Sequence, residues 1–293
     1  MLYLSHFQFP GRELEYNFTM NEKRTCYDTF YPFLVLSEHH LEMLDFEPVT
    51  ILYGGNGSGK TTALNVIAEK LGLERDTLYN RSNFFEEYTR LCSYQGGDGG
   101  GSRRAPRMPK GSRIITSDDV FDFMLNLRSI NDGIDRKREE LFEDYLENKY
   151  SHFTMRSMED YEQLKKVCLA RSNTQSKYVR RNLMDNVREH SNGESAFLYF
   201  TDKIKENCLY LLDEPENSLS PIRQQELLKF LEDSTRFFGC QFIIATHSPF
   251  LLSMRGAKIY DMDEEVVDVK RWTELENVRT YYQFFKKYEG EFQ

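Results

Sequence analysis

The residues most able to do chemistry stand together in ILYGGNGSGKTT, Ile51 to Thr62. Gly54 and Gly59 are separated by four residues, and Lys60 and Thr61 follow. This is the spacing of a loop that wraps an anion in backbone N–H groups. The amides of Gly54, Gly55, Asn56, Gly57, Ser58 and Gly59 can all point inward only if the backbone takes angles that glycine adopts cheaply. A helix starting near Gly59 would add its positive end. Lys60 would place a point charge on the β and γ phosphates of a nucleotide, and Thr62 lies in the same first turn. The hydroxyl of Thr61 suits Mg²⁺, a hard cation that prefers oxygen.

A second constellation is YLLDEPENSLSP, with Asp213 at the end of an apolar run and Glu214 after it. A carboxylate at the carboxyl edge of a parallel sheet stands where ligands bind in such folds. Asp213 would reach the metal, directly or through water, and Glu214 would activate the attacking water as general base. Without a phosphate loop the same residues would read as a strand ending in a polar turn. A third is His247 in FIIATHSP, again at the end of an apolar run, expected one strand from Asp213 and near the γ-phosphate.

These residues need a sheet to position them. PVTILY, CLYLLDEP and CQFIIATHSP are continuous apolar strands, the pattern of a parallel sheet covered on both faces. Thr61 to Leu73 carries apolar residues at helical spacing, and PIRQQELLKFLEDSTRFF reads as an amphipathic helix. LYLSHFQF and FYPFLVLS read as N-terminal strands, and RIIT as a short one. AKIYDM and EVVDVKRW suggest a closing hairpin, followed by a last helix in VRTYYQFFKKY. Tyr94 to about residue 112 is Gly-rich and then basic, a flexible loop by composition. From about 120 to 190 the chain is polar and helical and reads as a lobe inserted into the α/β core. Within it, Ser157 and Asp160 resemble a capping box. The whole of 1–293 is expected to form one α/β domain with that lobe inserted.

The bulk numbers fit a soluble, cytoplasmic protein. Of 293 residues, 40% are hydrophobic and 29% charged, with a net charge of −9. That charge argues against a surface that coats nucleic acid throughout, though not against a local basic groove. Five scattered cysteines without CxxC spacing read as reduced core residues. No window approaches the ~20 apolar residues of a membrane span, so membrane insertion is not expected.

The motif set resembles the ABC-type ATPases, in particular their SMC/RecF-like branch. GGNGSGKTT is similar to that branch's phosphate loop (Walker A), LLDEPENSLSP to its Walker B strand and D-loop, and ATHSP to its switch-histidine loop. EHSNGESAFLYF resembles the ABC signature, with Ser191, Gly193 and Glu194 as its polar core. The run from His190 to about Trp272 is similar to small stand-alone bacterial ATPases of the AAA family, which carry an S-x-G-E-S signature. The resemblance implies a P-loop NTPase fold with a mixed sheet and N-terminal antiparallel strands. It also implies ATP and Mg²⁺ as cofactors and an ATP-dependent homodimer. In that dimer Ser191 and Gly193 of one subunit would touch the γ-phosphate held by Lys60 of the other. SNGES also reads as a helix cap, and both readings can hold at once.

The sequence departs from the family at Asn192, where the first signature glycine is usual, and at Ser220, where a D-loop aspartate is usual. The glutamine-loop residue is open between Gln95 and Asp118. The implied function is ATP hydrolysis by a switch acting on nucleic acid or on a partner effector, in repair or phage defence. The alternatives weighed are the nucleotide-binding subunit of a membrane transporter and a small-molecule kinase. Arg171, Lys177, Arg180, Arg181 and Arg188, with Arg103, Arg104, Arg107, Lys110 and Arg113, could contact nucleic-acid phosphates or simply solvate a helix face and a tether.

Overall fold

The computed structural model describes all residues except 25, 28, 98–107, 154–159, 184–191 and 293. The chain divides into two compact units, 1–121 with 192–293, and 122–191.

The first unit is built on two sheets. Strands β1 (Leu4–Gln8), β2 (Met43–Asp45) and β4 (Ser93–Gly96) form an antiparallel sheet in the order β2-β1-β4. Strands β3 (Val49–Tyr53), β5 (Arg113–Thr116), β6 (Leu209–Asp213), β7 (Gln241–Ala245), β8 (Lys258–Asp261) and β9 (Asp268–Val269) form the second, in the order β5-β6-β7-β3-β8-β9. Its pairings are parallel except the terminal β8–β9 hairpin. Every residue of β3, β6 and β7 is buried, the polar Thr50, Asp213 and Gln241 included, as strands covered on both faces require.

Register brings four strand ends into one row. Thr116 of β5 lies opposite Asp213 of β6, Asp213 opposite Ala245 of β7, and Ala245 opposite Leu52 of β3. The carboxyl edge of the sheet is therefore where the loops after these strands meet.

Helix α1 (Arg12–Asn21) follows β1, and helix α2 (Lys60–Leu71) follows β3 and ends on Gly72 at φ +65°. Its buried face, Ala63, Leu64, Ile67 and Ala68, joins the main core. Helix α3 is Phe85–Leu91. Helix α4 (Ser117–Tyr150) starts in the first unit and runs on into the second, where α5 (Tyr161–Ser172) and α6 (Gln175–Asn182) follow. That second unit has a small core of Tyr145, Ala170 and Tyr178, with the Tyr178 hydroxyl donating to Asp144 Oδ2 at 2.7 Å. The chain returns through α7 (Asn192–Lys203), α8 (Pro221–Phe237), the short α9 (Pro249–Leu252) and α10 (Glu276–Lys287).

Two sequence expectations fail here. FYPFLVLS is not a strand: it makes turns and a short 3₁₀ segment, Ser37–His39. Leu34 sits at φ +69°, Phe33 and Leu36 are buried, and Glu15, fully buried, accepts hydrogen bonds from the Leu34 N–H and from Ser37 Oγ. The Tyr88 hydroxyl donates to the same carboxylate at 3.0 Å. A buried carboxylate with three donors overrides the aromatic alternation that suggested β structure. Secondly, the expected loop from Tyr94 begins as strand: Tyr94 and Gln95 pair with Phe7 and His6. Residues 98–107, with Arg103, Arg104 and Arg107, lie outside the described residues, as does Ser157 of the expected capping box.

Candidate functional site

The phosphate loop connects β3 to α2. Gly57 and Gly59 stand at φ +90° and +88°, which only glycine takes without strain. Their N–H groups have no acceptor among the described residues, so they stand ready for an anion. Lys60 is buried and its Nζ donates to the carbonyl oxygens of Gly54 at 2.6 Å and Gly55 at 2.9 Å. Ser58 Oγ is buried without a hydrogen-bond partner. Thr61 Oγ1 donates to Asp213 Oδ1 at 3.1 Å, so the two expected metal residues are already in contact. Thr62 accepts from the Tyr31 hydroxyl at 3.3 Å.

Asp213 is nearly buried, and its carboxyl is pushed up to about 6, chiefly by burial. The Thr61 hydroxyl opposes that shift, while the neighbouring Glu214 charge adds to it. A hard divalent cation at the two oxygens of Thr61 and Asp213 would offset the burial of this carboxylate, so these residues fit Mg²⁺. Glu214 follows at φ +47°, an unusual backbone for a residue with a side chain. That backbone is held by Glu214 N–H donating to Ala245 O at 2.9 Å and Asn217 N–H donating to Glu214 O at 3.1 Å. Asn217 Nδ2 donates to Glu214 Oε2 at 3.0 Å.

His247 leaves the end of β7, between β6 and β3, with Nδ1 3.9 Å from Glu214 Oε1 and 3.5 Å from Glu216 Oε1. Glu216, nearly buried, was not singled out by sequence reasoning. Its Oε1 accepts from Thr246 Oγ1 at 2.6 Å, from the His247 N–H at 3.0 Å and from the Ser248 N–H at 3.2 Å. One carboxylate oxygen thus fixes the whole histidine loop. The signal available was a third acid, two residues beyond Glu214 in DEPE. Asn277 Nδ2, on α10, donates to His247 O at 3.0 Å.

Ser191 lies outside the described residues. Gly193 and Glu194 are in the first turn of α7, and Glu194 pairs with Arg223 of α8 at 3.0 Å. Ser220 caps α8, accepting from the Arg223 N–H at 3.4 Å. Of the two glutamine-loop candidates, Gln95 is in β4 of the antiparallel sheet, and Asp118 is exposed in the first turn of α4.

Next to Asp118, sequence reasoning missed Asp119. It is nearly buried and accepts from the Thr116 N–H at 2.6 Å, with Oδ1 left without a partner. Arg75 was also missed. It bonds Asn65, lies 4.0 Å over the Tyr79 ring, and has its Nη1 buried without a partner. Burial lowers its pKa, and the charges of Tyr79, Asp119 and Asp213 oppose that shift.

Residues 112–253, just under half of the chain, match a family described as "AAA domain, putative AbiEii toxin, Type IV TA system". None of the curated proteins matches. Among solved structures, the chain is similar to the Smc head domain of Pyrococcus furiosus, with an extended coiled coil and bound to the C-terminal domain of ScpA. That likeness has 14% identity over 99% of this chain and 100% of the other, at TM-score 0.45. It is similar to the SMC head domain of Thermotoga maritima at 13% identity, over 78% and 92% of the two chains, TM-score 0.35. A nucleotide-free ATP-binding cassette from an ABC transporter matches at 16% identity, over 82% and 87%, TM-score 0.39. Likenesses of that size decide nothing by themselves. The phosphate loop between β3 and α2, the paired acids ending β6 and the histidine that follows β7, the strand between them, stand together at one sheet edge, and the acids and the histidine fall within the 112–253 match to that AAA-domain family.

Proposed function

We propose that this chain binds ATP with Mg²⁺, hydrolyses it, and works as a cytoplasmic switch that dimerises around the nucleotide. The observation that carries this reading is the convergence of Thr61, Asp213, Glu214 and His247 at the carboxyl edge of one sheet, beside open phosphate-loop amides. Lys60 and the amides from Gly57 to Thr61 would hold the phosphates. Thr61 and Asp213 would hold Mg²⁺, which supplies charge neutralisation on the phosphates. Glu214, held in its strained backbone by Ala245 and Asn217, would take the proton of the attacking water. His247, oriented by Glu216, would face the terminal phosphate.

Ser191, Gly193 and Glu194 would act in trans, on nucleotide held by the partner copy. The dimer would act on nucleic acid or on an effector protein in repair or defence.

The test is light scattering of Glu214→Gln with Mg²⁺, with and without ATP. A general base contributes about 10²–10⁴-fold, so this variant should lose at least a hundredfold in turnover while keeping ATP. A shift from monomer to dimer on adding ATP is the expected result. Normal hydrolysis by the variant would remove Glu214 as base, and an unchanged mass would remove the homodimer.

A further inference from the structure

The turn after β8 closes on the phosphate loop. The Met262 N–H donates to Tyr53 O at 2.8 Å, extending the β3–β8 pairing by a residue. The carboxylate of Asp263 then accepts the Gly55 N–H with both oxygens, at 2.7 and 2.9 Å. The approach is close: a Cβ on Gly54 would lie 3.1 Å from Asp263 Oδ1. From the other side, Lys60 holds the carbonyls of Gly54 and Gly55. The first two glycines of the loop are therefore clamped, at an amide by a carboxylate and at their carbonyls by an ammonium.

The clamp is itself braced. The Asp263 N–H donates to Asp261 Oδ1 at 3.1 Å. Asp261 is nearly buried and its other oxygen takes Lys270 Nζ at 2.8 Å; Lys270 also pairs with Glu264. A carboxylate on an anion-binding loop works against a nucleotide unless it does something else there. Asp263 engages Gly55, ahead of the unpartnered amides of Gly57 and Gly59, so it grips the loop beside the anion cradle.

We infer that Asp263 is a positioning residue for nucleotide binding: it pins Gly54–Gly55 so that the later amides stay arranged around a phosphate. Preorganisation of this kind shows in affinity, because an unpinned loop must be ordered on binding. The inference rests on the ATP reading above.

The experiment compares wild type, Asp263→Ala and Asp263→Asn in Mg²⁺ with a fluorescent ATP analogue and in steady-state turnover. Asp263→Ala should raise Kd and KM about tenfold with kcat within twofold, the pattern of lost uniform binding. Asp263→Asn, which keeps one acceptor, should rise less than threefold. Hydrogen exchange of the nucleotide-free protein should show faster exchange around residues 54–56 in Asp263→Ala. If Asp263→Ala does not fold, Asp263→Asn carries both readouts. Unchanged KM and exchange would overturn the inference, as would loss of kcat alone. Tighter binding would also overturn it, by showing that the carboxylate competes with phosphate. Wild type unable to bind the analogue would sink the ATP reading and this one with it; normal wild-type binding with an unmoved Asp263→Ala sinks this one alone.

Discussion

Asp213→Asn should make the nucleotide-free protein more stable while destroying its use of Mg²⁺. Asp213 is 8% exposed, and its carboxyl is raised from 3.8 to about 6. At about 1.4 kcal/mol per pH unit, that difference means ionised Asp213 costs the folded state about 3 kcal/mol. The sign follows from proton uptake. Above pH 6 both states are ionised and the full cost is present. Between 6 and 3.8 the folded protein binds the proton that the unfolded chain does not, and stability rises as pH falls. By pH 5 about half of the cost has gone.

The amide keeps an oxygen for the Thr61 hydroxyl and ends the repulsion from Glu214 and Glu216, but forfeits the attraction to Lys60. A net gain of about 1–3 kcal/mol at pH 7.5 is therefore expected, a rise in Tm of roughly 2–10 °C. Calorimetry without Mg²⁺ or nucleotide at pH 7.5 and pH 5 measures it. With Mg²⁺ and ATP the order should reverse, because only the native carboxylate gains from the ligand. A variant no more stable at pH 7.5, or one whose gain is equal at both pH values, would refute the reasoning.

Three further outcomes are expected. Glu216→Ala strips the acceptor from Thr246 Oγ1 and the His247 N–H, and should cost about 2–4 kcal/mol in denaturant unfolding, with turnover also reduced. Glu216→Gln, which keeps an oxygen, should cost less than half as much; equal stability of the two variants would show that Glu216 does not organise the loop. Ser191→Arg should bind ATP normally as a monomer yet stay monomeric with Mg²⁺ and ATP in light scattering. ATP-dependent dimerisation unchanged in that variant would remove the signature role.

What could be read from the sequence was what depends on neighbours along the chain. β3, β6 and β7 are five-residue strands buried throughout, and each shows in the sequence as a short, predominantly apolar run. The glycines of the phosphate loop announce themselves by spacing, and Thr61 and Asp213, both singled out from the sequence, are in hydrogen-bond contact although 152 residues apart. What could not be read depends on distant partners. Glu15 is one of two acids, with Glu13, in the first turn of an ordinary-looking helix until Ser37 and Tyr88 close over it, and that closure turns FYPFLVLS away from β structure. Asp263 sits in a hairpin turn 208 residues from the amide it grips, and nothing in VVDVK or IYDMD marks it. Asp119 and Asp118 are indistinguishable as letters; only the folding of α4 against β5 buries one and exposes the other.

The strand order also sets when this protein can come into being. β3, which carries the phosphate loop, pairs only with β7 and β8 among the described strands. A ribosome adding about 5–20 residues per second would take roughly 10–40 s to travel from β3 to β7. During that interval an apolar strand has its backbone donors and acceptors unpaired on both sides, the condition in which chains aggregate or recruit a chaperone. Nascent chains halted before β7 should therefore be protease-sensitive around the phosphate loop and blind to ATP. A slow translation stretch would be most costly between those two strands.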